Sequence, residues 1–176
     1  AMNLETAKFD FNWINQLPGH KVLSPGNHDY YATSKKKVRT ALPKGMDWID
    51  ADSTVVGDYV VAATRGWILP GDAVWDENRD RKIYERQVGR LRLALEHAKK
   101  TSPDKPLIAM LHYPPVTQYA RESGFLDVLQ EYAVEWCVYG HLHGNAHRLA
   151  VNGKTGGVNL QLVSCDYLKF RPIRIK

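Results

Sequence analysis

At 176 residues the chain is long enough to bury most of the surface it would expose when unfolded, and its length suits one domain rather than two. Its 44% hydrophobic and 24% charged residues are ordinary for a globular protein, and no run reaches the roughly 18 consecutive apolar residues of a membrane span, so a soluble protein with no membrane partner is expected. The net charge of +5 is scattered except at Lys35-Lys36-Lys37 and Arg39, which read as a solvated helix face rather than a nucleic-acid patch. The two cysteines, Cys137 and Cys165, fall in apolar patterns without Cys-x-x-Cys spacing and read as small core residues. No basic stretch followed by an apolar one opens the chain, so a reducing cytoplasm is the expected location.

Residues 2–17 place Leu4, Ala7, Phe11 and Ile14 at spacings of three and four, the stripe of an amphipathic helix that Pro18-Gly19 then ends. Residues 21–24 predict a short buried strand feeding the loop Gly26-Asn27-His28-Asp29, and residues 34–42 a basic helix stopped by Pro43 and Gly45. Extended segments follow at 47–49, 53–56 and 59–64, with Gly57-Asp58 suggesting a hairpin between the last two. Residues 65–75 are loop-like, and residues 76–101 predict the longest helix, with Tyr84, Val88, Leu91, Leu95 and Ala98 as its apolar stripe.

Pro103 and Pro106 delimit a buried strand at 107–111, followed by His112-Tyr113-Pro114-Pro115 and a helix near 122–132. Residues 134–139 predict another strand, and the tail reads as a strand at 148–151, a hairpin turn at Asn152-Gly153 and a last strand at 158–164. Strands alternating with helices predict an α/β fold whose sheet is at least partly parallel.

Ligands of open α/β sheets bind beyond the carboxyl ends of the strands, and three such ends carry metal-capable side chains: Asn27-His28, His112, and His141 with His143. If the backbone stays extended past Gly140, His141 and His143 point to opposite sides, which suits two neighbouring ions better than one. Two ions a few ångströms apart are the usual machinery of phosphoester hydrolysis. His20, His97 and His147 carry no such context and read as structural, hydrogen-bonded residues.

Together, Gly26-Asn27-His28-Asp29, His112 with Tyr113-Pro114-Pro115, and Gly140-His141-Leu142-His143 resemble the last three motifs of the calcineurin-like metallophosphoesterase family, in order and in spacing. Residues 64–67 and 163–168 resemble a bacterial branch of it. The resemblance implies a mixed β-sandwich flanked by helices, divalent ions of manganese, iron or zinc type, and hydrolysis of phosphate mono- or diesters by metal-activated water. It implies further that Asn27, His112 and His141 ligate one ion and His143 the other, that His28 is the general acid beside the phosphate, and that Asp29 fixes the loop. Arg65 and Trp67 read as structural rather than substrate-contacting residues.

The family pattern opens with Asp-x-His and Gly-Asp motifs ahead of the Asn-His loop. Neither precedes Gly26, and the pairs Gly57-Asp58 and Gly71-Asp72 come after it. The chain therefore reads as one metallophosphoesterase domain, residues 1–176, missing its first strands, a βαβ unit of roughly 30 residues. Natural loss and start-site choice at Met2 are both open as its origin. Impaired activity, incomplete binuclear occupancy and a homo-oligomer through an exposed sheet edge are the expectations. The alternative is a non-catalytic remnant that binds a metal ion, phosphate or a protein partner.

Overall fold

The computed structural model describes residues 3–175, so Met2, which the expected first helix included, lies outside the described residues. Helix α1 (Leu4–Asn15) begins where the Asn3 carboxamide oxygen accepts from the Thr6 amide at 2.9 Å, and it buries Ala7 and Phe11. Strand β1 (Lys21–Leu23) pairs in parallel with β2 (Met46–Trp48), and α2 (Lys35–Ala41) forms the crossover between them. Ala7, Phe11, Val38, Met46 and Trp48 close a small core between these elements. Strand β1 is half-buried rather than fully buried, because three residues paired on one side only leave much of their surface open.

A six-stranded sheet follows, built from β3 (Asp52–Val56), β4 (Tyr59–Thr64), β5 (Leu107–Leu111), β6 (Trp136–Tyr139), β7 (Gly153–Thr155) and β8 (Val158–Leu162), in the order β3-β4-β5-β6-β8-β7. The four central strands run parallel, and the two edge strands run antiparallel to their neighbours. Helix α3 (Glu77–Thr101) crosses from β4 to β5, and α4 (Gly124–Glu131) from β5 to β6. The inward residues Leu107, Ala109 and Leu111 of β5 join Leu91, Leu95 and Ala98 of α3 in the main core. With this mixed α/β arrangement all the parallel strands end on one side, and that side collects the loops after β4, β5, β6 and β8.

The tail differs from expectation. Residues 148–151 are not a strand: a 3-10 helix spans Gly144–Leu149, and the hairpin turns at Gly156-Gly157 instead of Asn152-Gly153. Both turn glycines have positive φ, 56° and 88°, the backbone a two-residue hairpin turn favours and one that few other residues adopt cheaply. The buried hydroxyl of Tyr139 accepts from the Val151 amide at 2.9 Å and donates to the Val151 carbonyl at 2.8 Å, clasping the far end of this loop to β6. Cys165 is exposed rather than in the core, because β8 ends at Leu162 and the chain leaves the sheet before it; Cys137 is buried as expected.

Candidate metal centre

The strand ends are locked to one another before any side chain is considered. The His112 and Tyr113 amides both donate to the Arg65 carbonyl, at 3.1 and 2.9 Å, and the Gly140 amide donates to the His112 carbonyl at 3.1 Å. The loops after β4, β5 and β6 thus leave the sheet in fixed register. The loop after β1 reaches across from the smaller sheet to meet them. There Asn27 Oδ1 lies 2.7 Å from His112 Nε2, which in turn lies 3.1 Å from His141 Nδ1.

Several features hold these groups in place. The Asp29 carboxylate accepts from the Gly26 amide at 2.7 Å, closing the loop, and also bonds the Tyr31 hydroxyl, whose pKa is raised first by burial and then by Asp29. A Cβ at Gly26 would stand 3.2 Å from the His112 ring and 3.3 Å from the Asp29 carboxylate, so the ring and the loop backbone approach as closely as only glycine allows. The buried Tyr113 ring stacks on His141 with centroids 4.1 Å apart.

His141 itself has φ of +69°, so the backbone past Gly140 is left-handed and not extended. The two histidines still diverge: His141 turns towards His112, while His143 turns towards Asp166. His112 is pushed down to about 4, by burial first and then by repulsion from His141. His141 is also lowered, by burial and then by His143 and His28. Both imidazoles are therefore neutral near pH 7 and can present lone pairs.

The donor set fits a divalent ion of zinc, iron or manganese type. Nitrogen ligands at about 2.0–2.1 Å from a tetrahedral ion stand roughly 3.3 Å apart, close to the separation of the two imidazole nitrogens. Asn27, His112 and His141 would hold that ion, and all three are uncharged donors.

His143 lies outside this cluster. Its Nδ1 donates to Asp166 at 2.8 Å, and the same carboxylate accepts from the amides of Gly144 and Tyr167 at 2.9 and 3.0 Å and approaches His147 Nε2 at 3.1 Å. These donors, the Gly144 amide foremost, keep the Asp166 carboxyl well below the usual carboxylate range. Engaged through Nδ1, His143 is left with Nε2 to offer a second ion. Among the described residues, His143, Cys165 and Asp166 form a group whose ligand atoms all lie within 4.8 Å of one another. His28 is exposed at the rim, edge-on to Tyr30 with ring centroids 6.2 Å apart.

No motif in the sequence singles out Asp166, and His147 reads there as structural. The rule that pointed to the other strand ends could have found Asp166, since β8 runs parallel to β6 and Asp166 follows the end of β8. His20 and His97 bind Asp47 and Ser53 at 3.0 and 2.7 Å, away from these groups.

Neither a curated protein sequence nor a solved structure gives a significant match. A family profile described as calcineurin-like phosphoesterase matches residues 3–145, a span that holds Asn27, His28, His112, His141 and His143, and the chain belongs to the calcineurin-like phosphoesterase family.

Proposed function

We propose that this chain carries the nitrogen-rich part of a phosphoesterase centre, in which Asn27, His112 and His141 bind one divalent ion, His143 contributes to a second, and His28 serves as the general acid. The observation that carries this reading is the convergence of Asn27 Oδ1, His112 Nε2 and His141 Nδ1 from three separate strand ends within 3.1 Å steps. Bound ions would stabilise charge on a phosphoryl group and activate water, the chemistry by which phosphate mono- or diesters are hydrolysed. His28, exposed at the rim, can deliver a proton to the departing ester oxygen.

Activity of this chain is proposed to be low. Its three clustered donors bring no negative charge, and the nearby carboxylates are already engaged: Asp29 by Gly26 and Tyr31, Asp166 by His143, Gly144 and Tyr167. Two dications would be poorly compensated there. The same donor set supports the second reading, a non-catalytic protein that binds one ion, phosphate or a protein partner. Association of chains is a further part of the proposal, because among the described residues β1 pairs with β2 alone and leaves an open edge. Among the described residues no helix is long and apolar enough to cross a membrane. Two free thiols, one of them exposed, suit a reducing compartment such as the cytoplasm.

Turnover of an aryl phosphate with added manganese separates the two readings. Slow hydrolysis that His28→Ala lowers by about 10²-fold or more, with manganese binding unchanged, supports the enzyme. Manganese binding without turnover, or turnover indifferent to His28→Ala, supports the remnant.

A further inference from the structure

A cavity of about 270 Å³ touches the loop after β1 at Pro25, Gly26, Asp29 and Ala32, and its polar wall is completed by Asp50, Arg65, Arg86, Gln87 and Arg90. Its charges do not cancel. Arg90 is paired with Asp50 at 2.6 Å, and Asp29 is engaged by the Gly26 amide and the Tyr31 hydroxyl. Arg65 and Arg86 have no carboxylate within 4.0 Å among the described residues.

Arg65 is held at the cavity from several directions. Its guanidinium lies 4.7 Å over the Trp67 ring, the Trp67 indole donates to the buried Asp80 at 3.1 Å, and its carbonyl is bonded by His112 and Tyr113. Its Nε is buried without a partner among the described residues. Burial, then Arg86 and Arg90, lower its pKa against the opposing influence of Tyr113 and Asp50. Gln87 is only 5% exposed, and its oxygen accepts from the Thr64 hydroxyl at 3.0 Å. Its amide nitrogen has no partner among the described residues, and Gln87 lines the cavity.

Unpaired guanidinia and a free amide donor around one opening are the complement of a tetrahedral oxyanion, which accepts several N–H bonds at once. We propose that this cavity binds a phosphate-type oxyanion through Arg65, Arg86 and Gln87, at a site separate from the histidine cluster. The site needs no metal ion, so it stands independently of the phosphoesterase reading. Its occupant is either free phosphate or the second phosphate of a ligand whose first phosphate lies at the histidines.

Calorimetric titration of the chelator-treated chain with inorganic phosphate at low ionic strength tests the proposal. Arg86 is exposed and its side chain bonds no other described residue, so Arg86→Ala should fold normally and weaken binding by about tenfold or more. Arg65→Lys, which keeps the charge but loses the fork, should also weaken it, while His141→Ala should leave it within about twofold. Equal affinity in wild type and Arg86→Ala, loss of binding in His141→Ala, or no heat up to about 10 mM phosphate would each overturn the proposal. A hexose bisphosphate titrated beside the monophosphate with manganese present distinguishes the sources. A gain in affinity abolished by both Arg86→Ala and His141→Ala assigns the cavity to the second phosphate of one ligand, and no gain assigns it to free phosphate.

Discussion

Replacing Tyr139 with phenylalanine removes one oxygen from the clasp between β6 and the loop that carries His143. The hydroxyl is bonded twice to Val151, 2.8 Å to its carbonyl and 2.9 Å to its amide, and both residues are buried, at 1% and 4% exposure. The variant leaves a buried N–H and a buried C=O unpaired, each at about 1–2 kcal/mol, for a total of roughly 2–4 kcal/mol. In a chain of this size each kcal/mol lowers the melting temperature by about 2–4 °C, so a fall of roughly 5–15 °C is expected by circular dichroism. Urea denaturation should give the same loss with an unchanged m-value. Because the clasp lies at the far end of the His143 loop from His141, manganese binding at Asn27, His112 and His141 should persist. A loss below about 0.5 kcal/mol would mean that the clasp does not stabilise the fold, since two buried backbone groups would then have cost almost nothing to strand.

Three further perturbations probe the site. Gly26→Ala pushes a methyl group against the His112 ring and Asp29, so it should cost about 1–3 kcal/mol in thermal melts and weaken manganese binding together. His112 has a folded pKa of about 4 against an ordinary 6.5, so between these values the unfolded chain binds more protons. Its contribution is complete above pH 6.5 and lost as the pH falls towards 4, by roughly 2–3 kcal/mol after allowance for its partial exposure. Urea titrations of the chelator-treated chain at several pH values should show that slope, and His112→Gln should flatten it. Asp166→Ala frees the His143 imidazole, so any second, weaker manganese event should lose about tenfold in affinity in calorimetry while the melting temperature stays close to that of the wild type.

The strands that carry the site were legible because their signals are local. The apolar run 107–111, fenced by Pro106 and His112, became β5 with the same limits, and Gly57-Asp58 marked the β3–β4 turn. The meeting of His112 and His141 could be anticipated because β5 and β6 are parallel neighbours that end on one side of a sheet, whereas Asn27 arrives from the smaller sheet and joins them through its loop. What spacing could not reveal was backbone handedness. His141 adopts φ of +69°, and alternation of side chains applies only to extended residues, so the divergence of His141 and His143 arises from a turn. Asp166 escaped notice for a related reason: its partners lie about twenty residues away, and only the parallel pairing of β8 with β6 brings them together. The 3-10 segment carries no distinctive periodicity, and its place is fixed by the Tyr139 clasp.

Three neutral donors, Asn27, His112 and His141, are proposed to hold one divalent ion. Isothermal titration of the chain with manganese tests this most directly, comparing wild type with His141→Ala. A binding event near one ion per chain is expected, weakened about 100-fold or more by the substitution with the fold retained. Equal manganese binding in the two proteins would contradict it.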